Sequence, residues 1–194
     1  MNEIVFMRHG STGVTQRFLG SSDVDLCETG KAQIAQLSAS VRARDFDLVM
    51  SSPMKRCVQS CTALKLEEQV EYDQRLQEID FGLWENEPFD EILAKESDLV
   101  KQWGRGDVQF RFPQGEKIGD FHERMEEVAA SLNTLIDKKI LLISHGGVIR
   151  HLICRLLNLS WQNYLLFAID YAKFSTLQLY SEGGVLCSLN RERC

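Results

Sequence analysis

The chain is poor in the features that mark several whole classes of protein. None of its 194 residues belongs to an apolar run approaching the roughly 18 that a membrane-crossing helix needs. Positive charge is not in excess: 22 Lys and Arg stand against 28 Asp and Glu, a net charge of −6. A surface of that sign should seek neither nucleic acid nor an anionic membrane, so any anion must be bound locally. The N-terminus shows no basic stretch followed by an apolar segment and a small-residue cleavage site, as a secretory signal would. Six cysteines (Cys27, Cys57, Cys61, Cys154, Cys187, Cys194) lack CxxC spacing, and the four histidines include no HExxH, so no metal site is expected. Cys57 and Cys61 lie four apart in a helical pattern and Cys154 lies in an apolar run, which suits reduced thiols used as small hydrophobes in a cytoplasmic protein. With no linker, repeat or low-complexity tract, a single domain over 1–194 is expected.

What the chain does have is an alternation of strand and helix patterns. "IVFM" at 4–7 reads as a short buried strand, "FDLVMSSP" as a second, "VEYD" as a third and "KKILLIS" as a central one. Helical spacing runs through "ETGKAQIAQLSASVRAR", through "SSPMKRCVQSCTALKL", through "EKIGDFHERMEEVAASLNTLID" and through "VIRHLICRLLNL". In the second of these, Ser52 is a natural N-cap and Pro53 a natural first helical residue. Two further strands, "FSTLQLY" and "GVLCSLN", flank a turn at Glu182-Gly183-Gly184. Between the third strand and the long helix, residues 79–115 form a less regular insert rich in Phe and Trp, expected to pack as a cap. Strands alternating with helices predict a three-layer α/β/α sandwich around a mostly parallel sheet.

In such sheets ligands gather beyond the carboxyl ends of the strands. The first strand ends in Arg8-His9-Gly10, the second in Ser51-Ser52-Pro53 with Arg56 just beyond, and the central one in His145-Gly146-Gly147. Two arginines and two histidines thus converge on one edge. Arg56 sits in the first turn of its helix, where the dipole disfavours a cation, unless an anion is bound there too. Gly146 and Gly147 leave backbone N–H groups open to close approach. Each residue alone has a plainer use, as a loop cation or a turn; together they point to phosphate. Flanking arginines would repel a metal ion, and His122 and His151 fall inside helical patterns with structural or surface roles.

These motifs in order, RHG at 8–10, an arginine soon after SSP, a glutamate in "LQEIDFGLWE" and SHGG at 144–147, resemble the histidine phosphatase superfamily, which includes the phosphoglycerate mutases. The likeness covers essentially the whole chain and is strongest to the alpha-ribazole phosphatases of cobalamin biosynthesis, through its length, "EIDFGLWE" and "FPQGEKIGDFHERMEEV". It implies that His9 becomes phosphorylated, that Arg8, Arg56 and His145 form the phosphate pocket with Gly146, and that Glu78 donates a proton. The chain departs from the pattern at Ser11-Thr12, where relatives carry Glu-Thr or Glu-Ser, at Thr15 in place of an asparagine near the substrate, and at Lys117.

The residue types suit that chemistry. Two guanidiniums can bind a phosphate dianion and also keep His9 neutral, hence nucleophilic. His145 is expected to carry a proton once phosphate is bound, and to donate it towards the equatorial oxygens. Glu78 would protonate the leaving alkoxide and then activate water. The expected partner is a small phosphate monoester such as alpha-ribazole 5'-phosphate, with no cofactor, no nucleic acid and no membrane; a homodimer stays open. Competing readings are a phosphoglycerate mutase, a broad-specificity sugar phosphatase, and a non-catalytic phospho-ligand binding module.

Overall fold

In the computed structural model, residues 1–42 and 44–194 are described. The first strand, β1 (Asn2–Arg8), is followed by α1 (Glu28–Arg42), β2 (Leu48–Ser51), α2 (Lys55–Leu64) and β3 (Val70–Tyr72). The insert holds two short helices, α3 (Phe89–Lys95) and α4 (Ser97–Gly104), and α5 (Ile118–Thr134) leads into β4 (Lys139–Ser144). Then come α6 (Gly146–Leu156), β5 (Phe174–Tyr180) and β6 (Gly183–Arg191). Among the described residues no helix is long and apolar enough to cross a membrane.

The six strands form one sheet in the order β3-β2-β4-β1-β5-β6. The first four of these are mutually parallel, whereas β5 and β6 run antiparallel at one edge. Burial of both faces explains why β1 and β4 read as continuous apolar runs rather than as alternating ones. Along β1, Val5 and Met7 meet Ile34, Val41, Cys57 and Cys61 of α1 and α2 on one face. Ile4 and Phe6 meet Phe121, Val128, Val148 and Leu152 of α5 and α6 on the other. The result is the expected three-layer α/β/α sandwich.

Two local expectations are corrected. The second helix starts at Lys55, not at Pro53, and Ser52 is not its N-cap, since the Ser52 hydroxyl is drawn inward to the site. Asp23 takes over the helix start by accepting from Lys55 N at 2.7 Å. The long helix stops at Thr134, and Ile136, read as an apolar face position, is 77% exposed. In the insert the aromatic residues are largely core: Trp84, Phe110 and Phe112 are buried. Phe18, from the loop after β1, packs against Phe81 and Trp103 at ring-centroid distances of 4.8 and 5.5 Å.

The chain leaving β1 presses against the start of α1. A Cβ on Gly30 would lie 2.0 Å from the Ser11 carbonyl oxygen, and one on Gly10 would lie 2.6 Å from the Gly30 oxygen. Both obstacles are backbone and cannot swing aside. Gly30→Ala should therefore destabilise the fold by about 1–3 kcal/mol through overpacking, seen as a lower urea midpoint at unchanged slope.

Candidate active site

Strand register brings the site together. Arg8 pairs with Ser144 across β1 and β4, and Ser51 pairs with Ile143 across β2 and β4. The residues just past these pairs, His9, His145 and Ser52, therefore stand side by side. His9, Arg56 and His145 are almost wholly buried, at 3%, 0% and 1% exposure, while Arg8, Glu78 and Tyr171 keep partial access to solvent. Approach to His9 is from their side.

His9 is held in one tautomer. Its Nδ1 lies 2.8 Å from the Gly10 carbonyl oxygen, which can only accept, so Nδ1 carries the hydrogen and Nε2 keeps its lone pair. Burial, and then the charges of Arg8 and Arg56, hold this imidazole well below its ordinary pKa of 6.5. A buried, neutral, fixed imidazole with a free lone pair is a nucleophile at pH 7.

The two arginines are held by neutral groups. Arg56 donates from Nε to His145 Nδ1 at 3.0 Å, from Nη1 to Ser22 O at 2.8 Å, and from Nη2 to Gly20 O at 2.7 Å. Arg8 donates from Nη1 to Ile169 O at 2.7 Å, and its guanidinium lies 3.6 Å over the Tyr171 ring, while its buried Nε has no partner. Among the described residues neither guanidinium forms an ion pair with a carboxylate. One buried and one half-buried cation, neither tied up in an ion pair, make a local field that favours an anion.

His145 is tied to the pocket through both ring nitrogens. Because Arg56 Nε–H donates to Nδ1, the ring hydrogen sits on Nε2, which donates to Ser52 Oγ at 2.8 Å. Burial first, and then Arg56, His9 and Arg8, lower its pKa well below 6.5. The ring is thus neutral and orients Arg56, and the expectation that it gains a proton concerns the phosphate-bound pocket. Its ring centroid is 5.1 Å from that of His9.

Glu78 reaches the same edge from the segment after β3. Ser144 Oγ donates to Leu76 O at 2.7 Å, and Arg124 donates to Gln77 O at 2.7 Å, fixing the backbone just before it. Its carboxylate accepts from Gly147 N at 2.8 Å, at the start of α6. A Cβ on Gly147 would lie 2.4 Å from Glu78 Oε1 and would push the carboxylate out of this position. Gly146 stands under Arg8, where a Cβ would sit 3.4 Å from the guanidinium carbon. Thr15 is not brought in: it is exposed on the loop after β1, and among the described residues no hydrogen bond ties it to the pocket.

Three participants escape sequence reasoning. Tyr171 stacks on Arg8 and lies 5.4 Å, centroid to centroid, from His9, and the next residue, Ala172, donates from its backbone N to the Arg8 and His9 carbonyls. Glu85 accepts from the backbone N–H groups of Gly20, Ser21, Ser22 and Phe81, so it shapes the loop whose carbonyls hold Arg56. Ser52 anchors His145. No local pattern around these residues could reveal partners so distant in the chain. Among the described residues no group of three or more His, Cys, Asp or Glu is placed to hold a metal ion.

A family model described as histidine phosphatase superfamily (branch 1) matches residues 4–192. The chain belongs to this superfamily. Among its relatives is phosphoserine phosphatase 1 of Hydrogenobacter thermophilus, 25% identical over 98% of this chain and 92% of that protein. A protein named probable phosphoglycerate mutase GpmB, from Yersinia pestis, is 30% identical over 82% of this chain and 76% of its own length. The crystal structure of the alpha-ribazole phosphatase from Shigella flexneri superposes with a TM-score of 0.86 at 25% identity, covering 98% of this chain and 97% of that one. The α/β fold is therefore that of known histidine phosphatases.

Two predictions arise from this geometry. The ring of Tyr171 stabilises Arg8 without a hydrogen bond, so Tyr171→Leu should weaken phosphate binding by about 3- to 30-fold, the range of a cation–π contact. Tyr171→Phe should leave it unchanged, both read by calorimetric titration with inorganic phosphate. The second concerns pH. Burial holds His9 and His145 well below 6.5, and His122 and His151 at about 4. Unfolding returns each ring to an ordinary imidazole, so below pH 6.5 the unfolded chain binds more protons than the folded one. Stability should fall as pH drops from 7 to 5, by up to about 1.4 kcal/mol per pH unit for each fully buried ring, measured by urea unfolding across that range.

Proposed function

We propose that the chain is a metal-independent phosphomonoesterase that works through a phosphohistidine on His9. The observation that carries this reading is the pair of guanidiniums, without carboxylate partners, around an imidazole whose Nδ1–H is fixed and whose Nε2 is free. Arg8 and Arg56 bind the ester's phosphoryl oxygens, with the N-terminus of α6 at Gly146 adding its dipole. Nε2 of His9 attacks phosphorus while the ester oxygen departs. Glu78, beside that helix end, gives the departing oxygen its proton. The carboxylate then takes a proton from water as that water attacks phosphohistidine, releasing inorganic phosphate and restoring neutral His9. Throughout, His145 acts from behind, holding Arg56 in place.

For the substrate, the favoured reading is alpha-ribazole 5'-phosphate, converted to alpha-ribazole in cobalamin biosynthesis. The likeness to the Shigella flexneri enzyme over almost the full length of both chains and the aromatic insert support it. A second reading, a phosphoglycerate mutase, draws support from the Yersinia pestis relative. A mutase must retain the phosphoryl group and exclude water, so hydrolysis and transfer between phosphoglycerates separate the two.

The test is phosphate release from 4-nitrophenyl phosphate in excess EDTA. The wild-type protein should turn over, and His9→Ala should abolish activity; full activity in that variant would end the proposal. Glu78→Gln should slow an alkyl phosphate by about 10²–10⁴-fold, but 4-nitrophenyl phosphate much less, because nitrophenolate leaves without a proton. A screen of phosphorylated metabolites including alpha-ribazole phosphate, phosphoserine and the phosphoglycerates then ranks the substrates by kcat/KM.

A further inference from the structure

A cavity of about 150 Å³ lies between the insert and α6. Phe81, Trp103 and Phe112 line it from the insert, and His151, Trp161 and Tyr164 from α6 and the turn after it. Ile79 and Gly147 line it as well, and Gly147 is the residue whose amide donates to Glu78. Cavity and proton donor therefore meet at one peptide unit.

The walls are set by ring-on-ring packing. His151 stacks on Tyr164 with centroids 4.6 Å apart and lies edge-on to Phe121 at 4.7 Å, while Phe81 meets Phe112 edge-on at 5.0 Å. The insert closes directly on Trp161, since a Cβ on Gly106 would lie 2.8 Å from that indole. An apolar cavity of roughly 150 Å³ is the size that accepts a benzene ring. Arg105, Gln162 and His151 add polar groups to the mainly aromatic lining. His151 Nδ1–H donates to Gly147 O at 2.8 Å, which leaves Nε2 as an acceptor. Burial, holding this ring at about 4, keeps the acceptor neutral at pH 7.

Another groove touches Glu78. It measures about 480 Å³ and is lined by Asp23, Asp80 and Glu116 together with Glu78 itself. Carboxylates there repel a dianionic ester and offer no flat apolar surface. A cavity of about 810 Å³, lined by Met1, Leu135, Leu156 and Tyr180, lies at the opposite end of the sheet from His9.

We infer that the small cavity is the leaving-group subsite, and that it takes a flat, uncharged aromatic group carried by the alcohol of the ester. The inference deepens the phosphomonoesterase reading and rests on it for the direction in which the alcohol departs. Its test is made by binding, so the two can fail separately. Benzylphosphonate and methylphosphonate are non-hydrolysable probes that share a phosphoryl head and differ by one ring. In calorimetric titrations the wild-type protein should bind the benzyl compound at least about tenfold more tightly, the scale of burying one ring against aromatic walls. Trp161→Ala and Tyr164→Ala, both at partly exposed positions, should erase that preference while holding methylphosphonate within about threefold, a change smaller than a good packing contact makes. Equal affinity of the wild-type protein for the two phosphonates, or a preference that survives in both variants, would overturn the subsite. Absence of turnover with intact benzyl preference would instead sink the esterase reading and leave the subsite standing.

Discussion

Positive charge held without an ion-pair partner is the constraint on which the site depends. Arg56 is wholly buried, yet its guanidinium is satisfied by two backbone carbonyls, an imidazole nitrogen and the Met54 sulfur. None of these cancels its charge. Arg8 is treated alike, by a carbonyl and by the face of Tyr171. Burying uncompensated ions costs several kcal/mol, and the surrounding fold bears that cost by fixing every donor. In the proposed reaction the two charges that attract a phosphate dianion also add to burial in keeping His9 neutral.

Rigid elements deliver these groups. Strand pairing sets His9, Ser52 and His145 abreast, because each follows directly on a registered residue of β1, β2 or β4. The antiparallel β5 brings in Tyr171 and Ala172 just before it starts, and Ala172 N locks onto the carbonyls of Arg8 and His9. Glycines at the contacts between elements then allow approach too close for any side chain, as at Gly10 and Gly30. Buried thiols take no part. Burial lifts the pKa of Cys57, beside His145, far above the usual thiol value, which leaves it a packing group.

Much of this was legible before the structure, and for a physical reason. Sandwiched strands leave continuous apolar runs, and the residues that end such runs must point at the sheet's ligand edge, so Arg8, His9, Arg56 and His145 stand out by position. Glu78 entered by resemblance, and its segment is indeed tied to that edge. What could not be read is anything decided by hydrogen bonding between distant segments. Ser52 looks like a helix cap because its neighbours form a helix, but its hydroxyl accepts from Met54 N, ahead of the first turn, and is shared with the buried His145 ring. That His145 receives a hydrogen bond from Arg56 could likewise not be read from its neighbours in sequence. Thr15, placed by analogy of spacing, stays on the exposed loop because only the backbone near Gly10 and Ser11 is pinned to α1.

Glu85 ties the insert to the pocket in a way that bears on how such molecules can diverge. Its carboxylate gathers four backbone N–H groups, three of them on the loop that presents carbonyls to Arg56. The aromatic insert is thus mechanically joined to the loop that holds Arg56. Grafting a different insert onto this scaffold would have to replant an acidic anchor at that spot, or the transplanted enzyme would gain a new glove and lose its grip.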